Sequence, residues 1–490
     1  MTRCLFARPL LACLLLVPLM GGACLAHRPD RILPDAARVA RVEAGLLPPA
    51  RVRGRSYPPA QIEARMRALG VPAVSIAVID SGRVVWARAY GLADVATRRP
   101  ATPATLFQAA SMSKPVAATA ALQLVAEGRL ALDEEANARL KSWKVPANEF
   151  TAQRPVTLRG LLTHTAGLTV HGFGGYAAGA LVPTVAQLLD GAAPANSAPV
   201  RVDTEPGKAY RYSGGGITVM QLLLSDVTGQ SFSTLLRQRV LRPAGMTAST
   251  FEQPLPASRR SVAATGYSRN GEPIAGNYHT YPEMAAAGLW TTPTDLARWI
   301  IAVQRSLAGA RGGILTPAMA TAMITPAVGG WGLGIALGGA GDTLRFEHGG
   351  ANAGFQGNLV GFARGGRGAV VMTNSDVGGA LAREIIQAVA TEYGWSGYAP
   401  QEIVPIAVAP QALRAYAGDY ALTGTPVRVT VAVRDGQLEL TQSGTTVELV
   451  PTGPDTFTLL TGGGTLRFAR DTGGNVTALV AGATRLERVP

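Results

Sequence analysis

The sequence predicts an α/β chain followed by a small all-β domain. Three observations carry this reading: an early β-hairpin signal, one helix-length segment that is apolar on nearly every face, and a tail of short strand-like runs. The hairpin consists of Ala73–Ile79 and Val84–Tyr90 around Asp80-Ser81-Gly82. Two β-rich runs about a turn of that composition pair antiparallel. The apolar segment runs from Ser111 to about Glu127, and a helix of that kind is buried in the middle of a domain. In the tail, turns at Asp435-Gly436, Ser443-Gly444, Gly453-Pro454, Gly462-Gly463-Gly464 and Gly473-Gly474 separate about six or seven short strands. Their even spacing is the pattern of a small antiparallel barrel or sandwich.

Taken in order, residues 1–26 read as a targeting segment. Arg3 and Arg8 give it a positive start, and Leu10–Met20 is apolar but too short to span a bilayer. Cleavage after Ala26 predicts an exported protein, periplasmic or secreted. The rival is a lipid anchor at Cys24, against which Gly21 stands where a branched residue is expected. Cys4, Cys13 and Cys24 are the three cysteines, so the processed chain has no disulfide framework and no Cys nucleophile. No later apolar run is long enough for a transmembrane span.

Residues 27–57 are expected to form a basic, exposed N-terminal arm, with seven arginines against three acids over 27–56. Folded structure is expected from Pro58, with a helix over about 60–69. After the buried helix, further helices are expected at Thr157–Leu162, Gly216–Thr228 and Thr294–Leu307. Strands follow at Thr343–Glu347, Phe355–Phe362 and Ala369–Thr373, then a helix over Gly379–Tyr393. A Pro-containing connector over Pro400–Pro410 divides a domain over 58–398 from a β domain over 399–490.

The chain has 45 basic and 32 acidic residues, a net charge of +13, and is 47% hydrophobic and 16% charged. Disorder is excluded by that composition. Outside the arm the basic residues are interspersed with acids and form no run with interleaved aromatics, so no nucleic-acid partner is expected. The five histidines are His27, His164, His171, His279 and His348. They form no metal-ligand motif, and no metal is expected.

Chemistry begins at Ser111-Met112-Ser113-Lys114. Residues three apart share a helix face, so a hydroxyl and an ammonium meet at the amino end of an otherwise apolar helix. A Lys in a dry pocket can lose its proton and activate a neighbouring alcohol. The chain has four lysines, which makes one inside this helix informative. Tyr212-Ser213-Gly214 stands just before the second helix expected at Gly216–Thr228, and a phenol beside an ammonium can shuttle a proton. His348-Gly349-Gly350 follows a strand, and its glycines let a substrate lie against the strand edge with backbone donors aimed at it.

Together and in this order the three motifs resemble those of the serine β-lactamase and penicillin-binding superfamily, in the branch of class C β-lactamases, D-peptidases and family VIII esterases. Supporting segments are Phe107-Gln108-Ala109-Ala110, Leu161 through Leu168, Gly288-Leu289-Trp290 and Ala351-Asn352-Ala353-Gly354-Phe355. The resemblance spans roughly residues 60–395. It implies a two-lobed domain, with an antiparallel sheet flanked by helices in one lobe and a helical insertion as the other. It also implies an acyl-enzyme at Ser111, with Lys114 and Tyr212 moving the proton and the Ser111 and Ala351 N–H groups as oxyanion hole, and a reaction that needs no metal or organic cofactor. Substrate contacts are expected from His348, Gly349, Gly350, Ala351 and Asn352, with Asn352 and Trp290 each either lining the pocket or simply packing.

Two departures bear on the substrate. The second motif usually ends in Asn and here ends in Gly214; the third usually begins with Lys and here begins with His348. Both favour a small ester, amide or D-amino-acid peptide substrate over a β-lactam. The alternatives are a β-lactamase and a non-catalytic penicillin-recognising cell-wall sensor. His164 is expected to be a buried, backbone-bonded side chain, and Glu347 to face away from the site. The sequence sets neither the oligomeric state nor the role of the β domain.

Overall fold

The computed structural model describes residues 35–422, 427–442, 445–460, 464–482 and 484–489. The expected leader over 1–26 and its lipidation alternative at Cys24 lie outside them.

The N-terminal segment is folded from its first described residue. Helix α1 (Asp35–Ala44) is followed by a short strand β1 (Ala50–Val52) and helix α2 (Ile62–Leu69). Val39, Val42 and Leu46 are buried, and Arg41 makes a two-pronged ion pair with Glu392 at 2.6 and 2.8 Å. The expectation of an exposed arm over 27–57 is therefore corrected for its described part. Arginines cover the outside of a segment whose apolar residues recur at helical spacing and dock on the sheet.

The predicted hairpin forms as β2 (Ala73–Asp80) and β3 (Arg83–Asp94), turning through Ser81 and Gly82 at φ 51° and 70°. With β4 (Arg99–Pro100), β5 (Ala336–Gly338), β6 (Arg345–Asn352), β7 (Phe355–Phe362) and β8 (Gly368–Thr373), it builds a seven-stranded antiparallel sheet ordered β4-β3-β2-β8-β7-β6-β5. Successive side chains of a strand point to opposite faces, and β2 is buried on both. Val74, Ile76 and Val78 pack with α1, α2 and the C-terminal helix α6 (Gly378–Glu392). Ala73, Ala77 and Ile79 face the larger core with α3 (Ser113–Ala126) and α5 (Pro293–Leu307).

Helix α3 is buried continuously from Ser113 to Leu122, Lys114 included. Helix α4 (Gly214–Thr228) starts two residues earlier than expected, capped by Ser213, whose Oγ accepts from the Gly216 N–H at 2.9 Å. The largely helical stretch between α3 and α5 adds no strand to the main sheet and forms the second lobe.

The C-terminal domain is a closed barrel of eight antiparallel strands, from β10 (Gly418–Ala421) to β17 (Thr484–Val489), with β17 pairing back onto β10. A barrel of that size can be filled by its own side chains, and here Tyr420, Val431, Leu438, Phe457, Phe468 and Leu479 are among those packed inside. It is tethered to the rest of the chain. Strand β1 pairs in parallel with β9 (Gln401–Ile403), and Ala50, Val52 and Ile403 form an apolar cluster with Val450 of the barrel. Arg55 pairs with Glu448 at 2.7 Å.

Candidate active site

Ser111 sits in a single 3-10 turn, Ala110–Met112, directly before α3, and not inside the α-helix itself. Ala110 has φ 50°, a left-handed conformation that costs energy for a residue with a side chain. The tight turn still brings Ser111 and Lys114 together: Lys114 Nζ donates to Ser111 Oγ at 2.8 Å and to the Ala286 carbonyl at 2.8 Å. Lys114 is 2% exposed with no carboxylate partner among the described residues, and burial pushes its ammonium down to about 7. A substantial fraction of this amine is then free to take the Ser111 proton at neutral pH.

Tyr212 closes the set. It lines the same cleft as Ser111, and Lys114 Nζ lies 4.9 Å from its ring centre. Burial raises the phenol well above its usual range, and the neighbouring Ser111 hydroxyl offsets only part of that. Tyr212 is thereby held in its protonated form, and of the two side chains Lys114 is the one with a free electron pair near neutral pH.

Strand β6 forms the facing wall. A Cβ at Gly350 would lie 2.3 Å from the Ala109 carbonyl oxygen, so glycine is what lets the strand approach the Ser111 turn. Ala351 and Ser111 line the same cleft, consistent with their N–H groups serving one oxyanion. Strand β5 pairs with Arg345–Glu347, so His348–Ala351 line the cleft beyond the end of that pairing. His348 is buried, and burial together with nearby Lys114 pushes it down to about 3. Its Nδ1 lies 2.6 Å from the Gly349 carbonyl and must donate there. His348 is thus a neutral group where the resembling family has a cation.

Two expectations about pocket lining are settled by packing. Asn352 is off the cleft wall: it is buried, and its Nδ2 donates to Gln108 Oε1 at 2.8 Å and to the Ala287 carbonyl at 3.1 Å. Its expected role as a substrate contact is corrected to that of a tie between β6, the segment before Ser111 and the 284–287 helix. Trp290 is wholly buried against Tyr278 and Phe355. Buried His164 accepts from the Ser213 N–H at 3.1 Å through Nδ1 and stacks on Tyr212. Glu347 pairs with Arg345 at 3.2 Å.

The cleft encloses about 900 Å³. Sequence reasoning missed the side chains that close it: Phe173, Tyr210 and Trp331 as an aromatic wall, His171 beside Tyr212, and Arg383 with Tyr398 where it extends past β6 toward α6. Apart from Tyr210, two residues before Tyr212, they come from segments outside the three motifs, and only their aromatic or basic character was a signal. Among the described residues no group of three or more His, Cys, Asp or Glu is placed to hold a metal, and no helix is long and apolar enough to cross a membrane.

Comparison with known proteins agrees with this geometry. Among curated relatives, protein flp of Staphylococcus aureus is 27% identical over 248 residues, 47% of this chain and 45% of that protein. Protein Rv1367c of Mycobacterium tuberculosis is 32% identical over 232 residues, 43% of this chain and 56% of that protein. The chain thus spans about half the length of the curated relatives it matches. Among solved structures, the octameric penicillin-binding protein homologue from Pyrococcus abyssi superposes with TM-score 0.60 at 22% identity, covering 87% of this chain and 98% of that one. The D-alanine carboxypeptidase AmpC from Burkholderia cenocepacia gives 0.54 at 20% identity, covering 72% and 99%; both likenesses are of fold. The model of the family described as Beta-lactamase matches residues 60–392, the segment that holds Ser111, Lys114, Tyr212 and His348, and the chain belongs to that family of serine hydrolases within the serine β-lactamase and penicillin-binding superfamily.

Proposed function

We propose that this protein is an exported serine hydrolase that forms an acyl-enzyme at Ser111 on small ester or amide substrates, D-amino-acid peptides included. The observation that carries the reading is the contact of Ser111 Oγ with a buried lysine that has no carboxylate partner among the described residues. Lys114 takes the Ser111 proton as Oγ attacks the acyl carbon, and the Ser111 and Ala351 N–H groups hold the oxyanion. The proton returns through Tyr212 to the leaving group, and water then releases the acyl chain by the reverse path. The stretch of β6 that lines the cleft supports amide and peptide substrates, because an extended chain can lie along it. Neutral His348 and side-chain-free Gly214 tell against the β-lactamase alternative. The sensor alternative predicts the loss of one of Ser111, Lys114 or Tyr212, and all three are in place. Export is supported by the sequence of residues 1–26.

The test is steady-state hydrolysis of p-nitrophenyl butyrate and of D-alanine p-nitroanilide by wild type, Ser111→Ala and Lys114→Ala. Wild-type turnover of at least one substrate is expected, with a loss of about a thousand-fold or more in each variant. Equal rates in wild type and Ser111→Ala would contradict the reading.

A further inference from the structure

Both chain neighbours of Tyr212 are bonded to one residue that lies outside the three motifs. His164 follows the short helix Leu158–Leu162 and is buried. Its carbonyl accepts from the Arg211 N–H at 2.8 Å, and its Nδ1 accepts from the Ser213 N–H at 3.1 Å. Its ring also stacks on the phenol between them, with centres 4.4 Å apart and planes 34° from parallel.

His164 itself is held in a conformation that its surroundings must enforce. It has φ 57°, in the left-handed region that costs energy for a residue with a side chain. The turn around it is fixed by two backbone bonds. The Thr165 N–H donates to the Gly160 carbonyl at 2.9 Å, and the Gly207 N–H donates to the Thr165 carbonyl at 2.6 Å. Leu161 and Leu162, just before it, are buried in the main core, and Trp331 meets its ring edge-on at 5.1 Å.

The same contacts set its tautomer. Because Nδ1 accepts, the neutral ring carries its proton on Nε2, and that atom is buried with no partner among the described residues. Burial and the nearby Lys114 charge hold His164 well below its usual range, so Nδ1 keeps the electron pair that the Ser213 N–H needs. An apolar ring would stack as well without the cost of an unpaired buried N–H. What histidine adds at this position is the acceptor.

We propose that His164 is the positioning residue of Tyr212, fixing the backbone on both sides of the phenol and the plane of its ring beside Lys114. The inference rests on the serine-hydrolase reading and adds to it the group, outside the reacting set, that holds the proton relay in register.

The test is a double-mutant cycle on p-nitrophenyl butyrate hydrolysis. His164→Phe and His164→Asn are each made in wild type and in Tyr212→Phe, with Ser111→Ala as control, at an enzyme concentration high enough to measure slow variants. His164→Phe keeps a stacked ring and loses the acceptor. His164→Asn keeps an acceptor near the place of Nδ1 and suits the left-handed backbone. His164→Phe is expected to lower kcat about ten- to a hundred-fold with KM changed less than about three-fold, and His164→Asn to recover most of that kcat. In the Tyr212→Phe background His164→Phe is expected to cost less than about two-fold, because no relay is left to misplace. Equal losses in the two backgrounds overturn the proposal and make His164 a packing residue, as does wild-type kcat in folded His164→Phe. Where His164→Phe does not accumulate in folded form, His164→Gly, which relieves the left-handed strain, carries the same comparison. Turnover unchanged in Ser111→Ala removes the parent reading instead, and this inference with it.

Discussion

Gly350 lies against the carbonyl of Ala109, so close that a methyl group at Gly350 would stand 2.3 Å from that oxygen. The contact joins the strand bearing the third motif to the turn bearing the nucleophile. Backbone on both sides leaves little to give way. Gly350→Ala is therefore expected to push β6 off the Ser111 turn, costing about 1–3 kcal/mol of stability and at least about ten-fold in kcat/KM. Thermal denaturation and ester hydrolysis on the purified variant check both.

The buried state of Lys114 sets the pH behaviour. Its folded pKa of about 7 lies below the unfolded lysine value, so between the two the unfolded chain binds the extra proton. Stability from this group therefore rises with pH from about 7 toward the unfolded lysine value. Activity should rise in a limb centred near pH 7 as the amine becomes free to accept the Ser111 proton, and a kcat/KM profile over pH 5–9 checks that limb.

Removing the lysine should separate function from stability. Lys114→Met deletes a buried group that disfavours its own charge and replaces it with an apolar chain of similar length. The variant is expected to be inactive and yet to melt several degrees higher than wild type at pH 6. Calorimetry at that pH decides, and a lower melting temperature would show that the Ala286 contact outweighs the cost of burial.

Asn352 is a structural tie, so its removal should be felt in stability. Asn352→Ala leaves Gln108 Oε1 without its donor, at a cost of about 1–3 kcal/mol. KM for p-nitrophenyl butyrate should change less than kcat, since the side chain is off the cleft wall. A large rise in KM with unchanged stability would return Asn352 to substrate binding.

The N-terminal segment makes an equally direct prediction. A chain beginning at residue 27 should keep wild-type stability, whereas one beginning at residue 58 loses Val39, Val42 and Leu46 from the core. Each buried aliphatic side chain is worth about 1.5–3 kcal/mol, so the shorter chain should melt far lower or fail to accumulate in soluble form. Melting curves of the two chains make the comparison.

The legible parts of this fold were those with local signals. The Ser111–Lys114 pair follows from a three-residue spacing beside an apolar helix, and the hairpin of β2 and β3 from Asp80-Ser81-Gly82. Eight barrel strands stood where about six or seven were expected, the first being the four-residue strand Gly418–Ala421. Composition misled over α1, where arginines concealed Val39, Val42 and Leu46. Strand periodicity puts Asn352 on the same face as His348, yet Gln108 and Ala287 cover that end of β6 and turn it into a tie. His171, Tyr210, Trp331 and Arg383 reach the cleft only through tertiary folding, from loops and helices that no local pattern brings together.

The central claim is a covalent acyl-enzyme at Ser111, and intact-protein mass after rapid quench tests it most directly. Wild type and Ser111→Ala are mixed with p-nitrophenyl butyrate, and separately with a penicillin, and stopped within the first turnover. The account predicts one butyryl group on wild type and none on Ser111→Ala, with any penicilloyl adduct equally dependent on Ser111. Butyrate turnover without a trapped adduct in Ser111→Ala, at the wild-type rate, would contradict it.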